Sequence, residues 1–120
     1  MNLHHPDARR EGMLIQSMVT GDVVETIAGV NRDPAFGSAV VVGLGGIFVE
    51  LLRDVSLELA PLSPARAKAM INRLQAAKLL QGFRGKQPAD IAALEETLVR
   101  LGRMAHALGE RLVSLDLNPL

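Results

Sequence analysis

The 120-residue sequence predicts an α+β domain, and three observations carry that expectation. The first half is rich in Val, Ile and Gly and the second in Ala, Leu, Arg and Glu, the shift that accompanies passage from strands to helices. Four short β-rich runs in the first half are each bounded by Gly, Pro, Asp or Asn. Two segments of helical periodicity follow, and after them one run of period two.

The four candidate strands are Met13 to Val19, Val23 to Val30, Ser38 to Val42 and Ile47 to Leu52. Between the second and third, Asn31 to Gly37 contains Asp33-Pro34, which disfavours helix before the proline, suits a tight reversal and predicts an antiparallel pair. Ser63 followed by Pro64 reads as an N-cap with proline at the first helical position, where a missing N–H costs nothing. Ala67, Met70, Ile71 and Leu74 mark the buried face of this helix, expected to run to about Lys78. Gln81 to Asp90 holds two Gly and a Pro and reads as a loop, ending where Asp90 caps a second helix. Ile91, Leu94, Leu98, Leu101 and Leu108 form its apolar face. Val113, Leu115 and Leu117 alternate with Ser114, Asp116 and Asn118, a half-buried strand stopping at Asn118-Pro119. The expected architecture is one mixed or antiparallel sheet with two packing helices, in one domain or part of a larger one.

Composition excludes several function classes. Thirteen Lys+Arg balance thirteen Asp+Glu, whereas nucleic-acid binding needs clustered positive charge to displace counterions. With three Phe and neither Trp nor Tyr, platforms for stacking single-stranded bases are also scarce, so no nucleic-acid partner is expected. Without Cys there is no disulfide, thiolate metal site or Cys nucleophile. The polar stretch from Met1 to Gly12 lacks the organisation of a signal peptide, so a cytoplasmic location is expected. The apolar runs are far shorter than the roughly 20 residues that span a bilayer, and no membrane partner is expected.

Three features could carry chemistry. Gly43 to Val55 places three Gly in four residues ahead of Glu50 and Asp54, either a tight turn or a cradle whose backbone N–H groups approach a phosphate. It matches neither a Walker loop nor a dinucleotide fingerprint. Asp116 and Asn118, two apart, should share one face of the last strand; such oxygen donors suit Mg²⁺, or the face is simply polar. Glu25, an acid within a β-rich run, faces water or holds a ligand hydroxyl. His4, His5 and His106 sit in polar surroundings without metal-ligand spacing, and no nucleophile motif occurs.

Six strings in order carry a family resemblance: HPDARREGMLIQSMV (His5 to Val19), VETIAGVNRDPAFG (Val24 to Gly37), GLGGIFVELLRDV (Gly43 to Val55), LAPLSPARAKAMI (Leu59 to Ile71), LLQGFRGKQPAD (Leu79 to Asp90) and LDLNPL (Leu115 to Leu120). Together they closely resemble the ATP-grasp region of NDP-forming acyl-CoA synthetases, the family of ADP-forming acetate–CoA ligases. The succinyl-CoA synthetase β subunit is similar at greater distance. The resemblance implies that residues 1–19 end a first lobe and include the hinge strand, and that residues 20–120 form the second, C-terminal ATP-grasp lobe, truncated after the NPL string. It implies a carboxylic acid, CoA and ATP exchanging with acyl-CoA, ADP and phosphate through an acyl phosphate and a phosphohistidine, with ATP/ADP and Mg²⁺ as cofactors. By the same likeness Gln16, Met18 and Val19 lie beside adenine, Glu25 approaches the nucleotide, Gly45, Gly46 and Glu50 line the phosphate side, and Asn118, with Asp116, holds Mg²⁺. No catalytic residue is assigned within the 120 positions.

The sequence departs from the family pattern in two places within the match. Glu58 stands where a basic residue usually precedes LAPL, inverting a local charge, and Ser114 stands where an acid is common before the last strand. The family's phosphate-binding Lys, its His-containing segment, a further metal-binding Asp and the CoA-binding domains have no counterpart in these residues. The isolated chain is therefore expected to be inactive. The alternative is a non-catalytic nucleotide-binding remnant or assembly module docking on a partner. A homodimer, or a partner chain carrying the missing lobe and CoA-binding domains, is expected in either case.

Overall fold

The computed structural model describes residues 12–21, 23–46 and 53–120. Four strands form one sheet in the order β3-β2-β1-β4: β1 (Thr26–Asp33), β2 (Gly37–Leu44), β3 (Val55–Leu59) and β4 (Ser114–Leu117). Every neighbouring pair is antiparallel, which decides between the mixed and antiparallel expectations. The expected reversal at Asp33-Pro34 is present, with the Asp33 carboxylate accepting from the N–H groups of Ala35 (2.8 Å) and Phe36 (3.0 Å) to close the β1–β2 turn. Gly37, at φ +85°, supplies the left-handed residue with which β2 begins.

Helices α1 (Pro64–Asn72), α2 (Ala77–Leu80) and α3 (Ile91–Leu108) follow β3, and a 3₁₀ turn (Gly109–Arg111) leads from α3 into β4. Both expected caps form: Ser63 accepts from Arg66 N–H at 3.3 Å and Asp90 from Ala93 N–H at 2.9 Å. Ala28, Val30, Val40, Val42 and Leu44 project from one sheet face into a core with Met70, Ile71, Leu98 and Ala105. The opposite face has no covering layer among the described residues, and Leu57 (57% exposed), Leu59 and Val55 project from it.

Three expectations need correction. Met13 to Val19 forms no strand, and Met13, Leu14, Ile15, Met18 and Val19 are between 78% and 92% exposed. A strand needs a neighbour for its backbone groups, and none pairs with this segment among the described residues. The first helix ends at Asn72 rather than near Lys78, because the Asp54 carboxylate accepts from the N–H groups of Gln75 and Ala76, both at 2.8 Å, and holds the chain in a turn before α2. Strand β3 was not anticipated at all, while the run Ile47 to Leu52 lies outside the described residues.

Glu58 is the departure from the family pattern that the fold explains. Its carboxylate receives Arg66 at 2.5 Å and Arg73 at 3.0 Å, so the acid ties β3 to α1 instead of leaving an isolated inverted charge. Hydrogen bonds from Arg66 and then Arg73 hold its pKa below the ordinary 4.5, more than offsetting the opposing effect of partial burial.

Candidate functional site

The candidate site lies at the end of the sheet where β1 begins and β2 finishes. Gly45 donates its N–H to the Glu25 carbonyl at 2.7 Å, so the glycine turn and the acid, twenty positions apart in sequence, become neighbours. A Cβ at Gly45 would stand 2.9 Å from Glu25 Cβ, a spacing only glycine permits. Gly46 follows at φ +60°, in the left-handed region that glycine enters without strain. Glu25, Gly45 and Gly46 line a cavity of about 420 Å³ together with Val23, Val24, Leu79, Phe83, Arg84 and Lys86.

The last strand adds the oxygen donors. Asp116 pairs with Gly29, lies on the open face and is exposed, and it lines a depression of about 190 Å³ with Ile27, Gly29, Asn31 and Val41. Leu115 and Leu117 point the other way, half-buried against the core, as the alternation predicted. Pairing resumes past β4, with Thr26 and Leu120 exchanging hydrogen bonds at 3.1 and 2.8 Å. Asn118 is therefore held, exposed, between that pair and Asp116, just past the end of β4.

The structure thus brings Glu25, Gly45 and Gly46 into one cavity, while Asp116 lines a separate depression on β4 and Asn118 lies just past the end of that strand; neither lines the cavity. Gln16, Met18 and Val19 are exposed in the extended segment and do not line the cavity. Glu50 lies outside the described residues. Phe83, Arg84 and Lys86 went unnoticed in the sequence because their segment reads as an ordinary Gly/Pro loop; the repeated glycines around Phe83-Arg84 were the available signal. Among the described residues no group of three His, Cys, Asp or Glu side chains could hold a metal. An Asp–Asn pair fits instead a hard cation that takes one or two protein oxygens and completes its shell with phosphate and water, as Mg²⁺ does.

A family model described as an ATP-grasp domain matches residues 1–120, the whole chain. The chain belongs to the ATP-grasp domain family. Within it, the chain is 42% identical over 115 residues to acetate–CoA ligase (ADP-forming) I of Archaeoglobus fulgidus, covering 96% of this chain and 16% of that protein. It is 40% identical over 117 residues to the β subunit of acetate–CoA ligase (ADP-forming) II of Pyrococcus furiosus, covering 98% and 49%. The ATP-grasp likeness extends to structure. A dinucleotide-forming acetyl-coenzyme A synthetase of Ca. Korarchaeum cryptofilum, solved with coenzyme A and Mg-AMPPCP, superposes with a TM-score of 0.76 at 50% identity, over 83% of this chain and 46% of that one. A protein from Pyrococcus horikoshii superposes at 0.83 and 38% identity, over 98% and 49%. The chain spans about half the length of the β-subunit relatives and a sixth of the Archaeoglobus ligase. No helix among the described residues is long and apolar enough to cross a membrane.

Proposed function

We propose that these 120 residues supply the Mg²⁺- and nucleotide-binding lobe of an ATP-grasp ligase that joins a carboxylic acid to coenzyme A, converting ATP to ADP and phosphate. The observation that carries this reading is the meeting of Glu25 with the Gly45-Gly46 turn at the end of the sheet, with Asp116 and Asn118 on the segment that runs alongside β1. In the proposed division, residues 20–120 are the second lobe and residues 1–19 the end of the first, with Gln16, Met18 and Val19 as a hinge beside adenine. Glu25 accepts a hydrogen bond from the ligand. The backbone N–H of Gly46, beyond the Gly45 N–H that donates to the Glu25 carbonyl, faces the phosphates, with Glu50 on the same side.

Phosphoryl transfer depends chiefly on positioning and charge neutralisation, which matches what these side chains offer. Asp116 and Asn118 would hold Mg²⁺, which when bound neutralises charge on the phosphate oxygens. The acyl phosphate and phosphohistidine stages call on groups outside these 120 positions. The exposed Met13–Val19 segment supports a second element of the reading, namely that the lobe works docked against another copy or against a chain carrying the first lobe and the CoA-binding domains. β subunits of two-part ligases are among its relatives.

Two measurements test the reading. The 120-residue polypeptide alone, given acetate, CoA and Mg-ATP, is expected to form no CoA thioester beyond background, because diffusion cannot replace positioned groups worth effective molarities of about 10⁵ M or more. Sustained thioester formation overturns that expectation. Titration with ADP in the presence of Mg²⁺ is expected to show binding that Asn118→Ala and Glu25→Ala each weaken. Equal affinity in both variants moves the site elsewhere.

A further inference from the structure

We propose that Phe83 and Arg84 form the anion-recognition arm of the cavity at the end of the sheet, with the Arg84 guanidinium taking the phosphoryl group of an organic phosphate. The proposal deepens the nucleotide reading and rests on it for the placing of the ligand against Glu25 and the glycine turn.

The backbone gives the first argument. Arg84 sits at φ +54°, a left-handed conformation uncommon for a residue with a Cβ. It is flanked by Gly82 at φ +86° and Gly85 at φ +82°. The loop is closed on itself: Lys86 N–H donates to the Phe83 carbonyl at 3.3 Å, Ala89 N–H to the Leu80 carbonyl at 2.9 Å, and a Cβ on Gly82 would meet the Lys86 carbonyl at 2.7 Å. A residue is kept in such a conformation when the surrounding structure over-determines it, and strain of this kind concentrates where ligands bind. Glycine would satisfy this position at lower cost, so an arginine here calls for a role beyond the turn.

The second argument is what surrounds the side chain. The Arg84 guanidinium lies 5.3 Å from the centroid of the Phe83 ring, within cation–π range, and both residues line the cavity that contains Glu25, Gly45 and Gly46. Among the described residues no carboxylate pairs with Arg84, as none pairs with Arg53, Arg103 or Arg111, so its guanidinium is not committed to an ion pair there. The remaining wall is formed by apolar Val23, Val24 and Leu79 together with Lys86. The fitting ligand has an apolar body, a hydrogen-bond donor for Glu25 and a phosphoryl group for the fork of Arg84, whose planar donors match phosphate geometry. A nucleotide and coenzyme A both have this chemistry.

The test is calorimetric titration of the full chain with Mg-ADP, coenzyme A, inorganic phosphate and adenosine, for the native protein, Arg84→Gly and Arg84→Lys, with melting curves for each. Arg84→Gly is expected to weaken the organic phosphate about tenfold and to leave adenosine unchanged, while the melting temperature stays level or rises as the left-handed strain is relieved. Arg84→Lys recovers part of the loss. A merely structural role would move stability and affinity down together. Loss confined to coenzyme A identifies it as the source of the phosphoryl group and moves the nucleotide elsewhere, with the role of Arg84 intact. Native affinity for both organic phosphates in Arg84→Gly overturns the proposal and leaves the nucleotide reading standing. Failure of the native chain to bind any phosphate overturns both.

Discussion

Replacing Asp54 by Ala removes the joint between the sheet and the helical segment that walls the cavity. The carboxylate is 3% exposed and accepts from two backbone N–H groups, those of Gln75 and Ala76, each at 2.8 Å. A hydrogen bond to a charged group contributes roughly 1.5–3 kcal/mol, and an orphaned buried donor costs about as much. Gln75 is exposed and Ala76 half-buried, so water recovers part of the loss and the net destabilisation is about 2–4 kcal/mol. That is a large share of a total stability of roughly 5–15 kcal/mol. With a urea slope of about 2 kcal/mol per molar, the unfolding midpoint followed by circular dichroism falls by about 1–2 M. Asp54→Asn keeps one acceptor oxygen but turns an N–H donor toward another donor, and it falls between the two. A midpoint for Asp54→Ala within about 0.3 M of the native value refutes the reasoning and leaves the break after Asn72 without its cause.

Two further outcomes follow from contacts elsewhere in the fold. Because Arg66 and Arg73 lower the pKa of Glu58, its pairing stabilises the fold above the ordinary 4.5 and loses that contribution as pH falls through the lowered folded value. Glu58→Gln is expected to cost roughly 0.5–1 kcal/mol at neutral pH, and the gap from the native urea midpoint narrows as pH falls below the ordinary 4.5 and through the lowered folded value; a gap independent of pH contradicts the pairing. The exposed apolar segment Met13 to Val19 is expected to drive self-association seen by sedimentation at micromolar concentration, relieved by Leu14→Lys with Met18→Lys. A monodisperse native monomer with protected amides across that segment contradicts it.

Local chemistry made part of the fold legible. The β1–β2 reversal was written in Asp33-Pro34, α1 in Ser63-Pro64, and α3 in Asp90 with the Leu94, Leu98 and Leu101 face. The period-two run around Leu115 and Leu117 gave the face of Asp116 as well as the strand. The rest depended on residues far apart. Nothing in Asn72 to Ala77 announces a helix break, since no Gly or Pro occurs there and the cause is a carboxylate 21 and 22 positions earlier. Strand β3 was hidden because its apolar residues Val55, Leu57 and Leu59 face outward while Ser56 faces in, the reverse of the usual pattern. Met13 to Val19 has strand propensity without a partner strand, and propensity does not supply one. At the candidate site, Glu25 and Gly45-Gly46 stand out separately in the sequence, but their hydrogen bond, and the arrival of Phe83 and Arg84 beside them, are products of tertiary folding.

The central claim, that Asp116 and Asn118 hold the metal of a bound nucleotide beside Glu25, is tested most directly by amide NMR with ADP and Mn²⁺ in place of Mg²⁺. Paramagnetic broadening falls steeply with distance from the ion and so reports where it sits. The account predicts broadening centred on Asp116, Asn118 and the facing stretch of β1 from Ile27 to Gly29, reaching Glu25, dependent on ADP and reversed by excess Mg²⁺. Broadening centred instead on the acidic outer face of α3 at Glu95 and Glu96, with the β4 signals sharp, contradicts it.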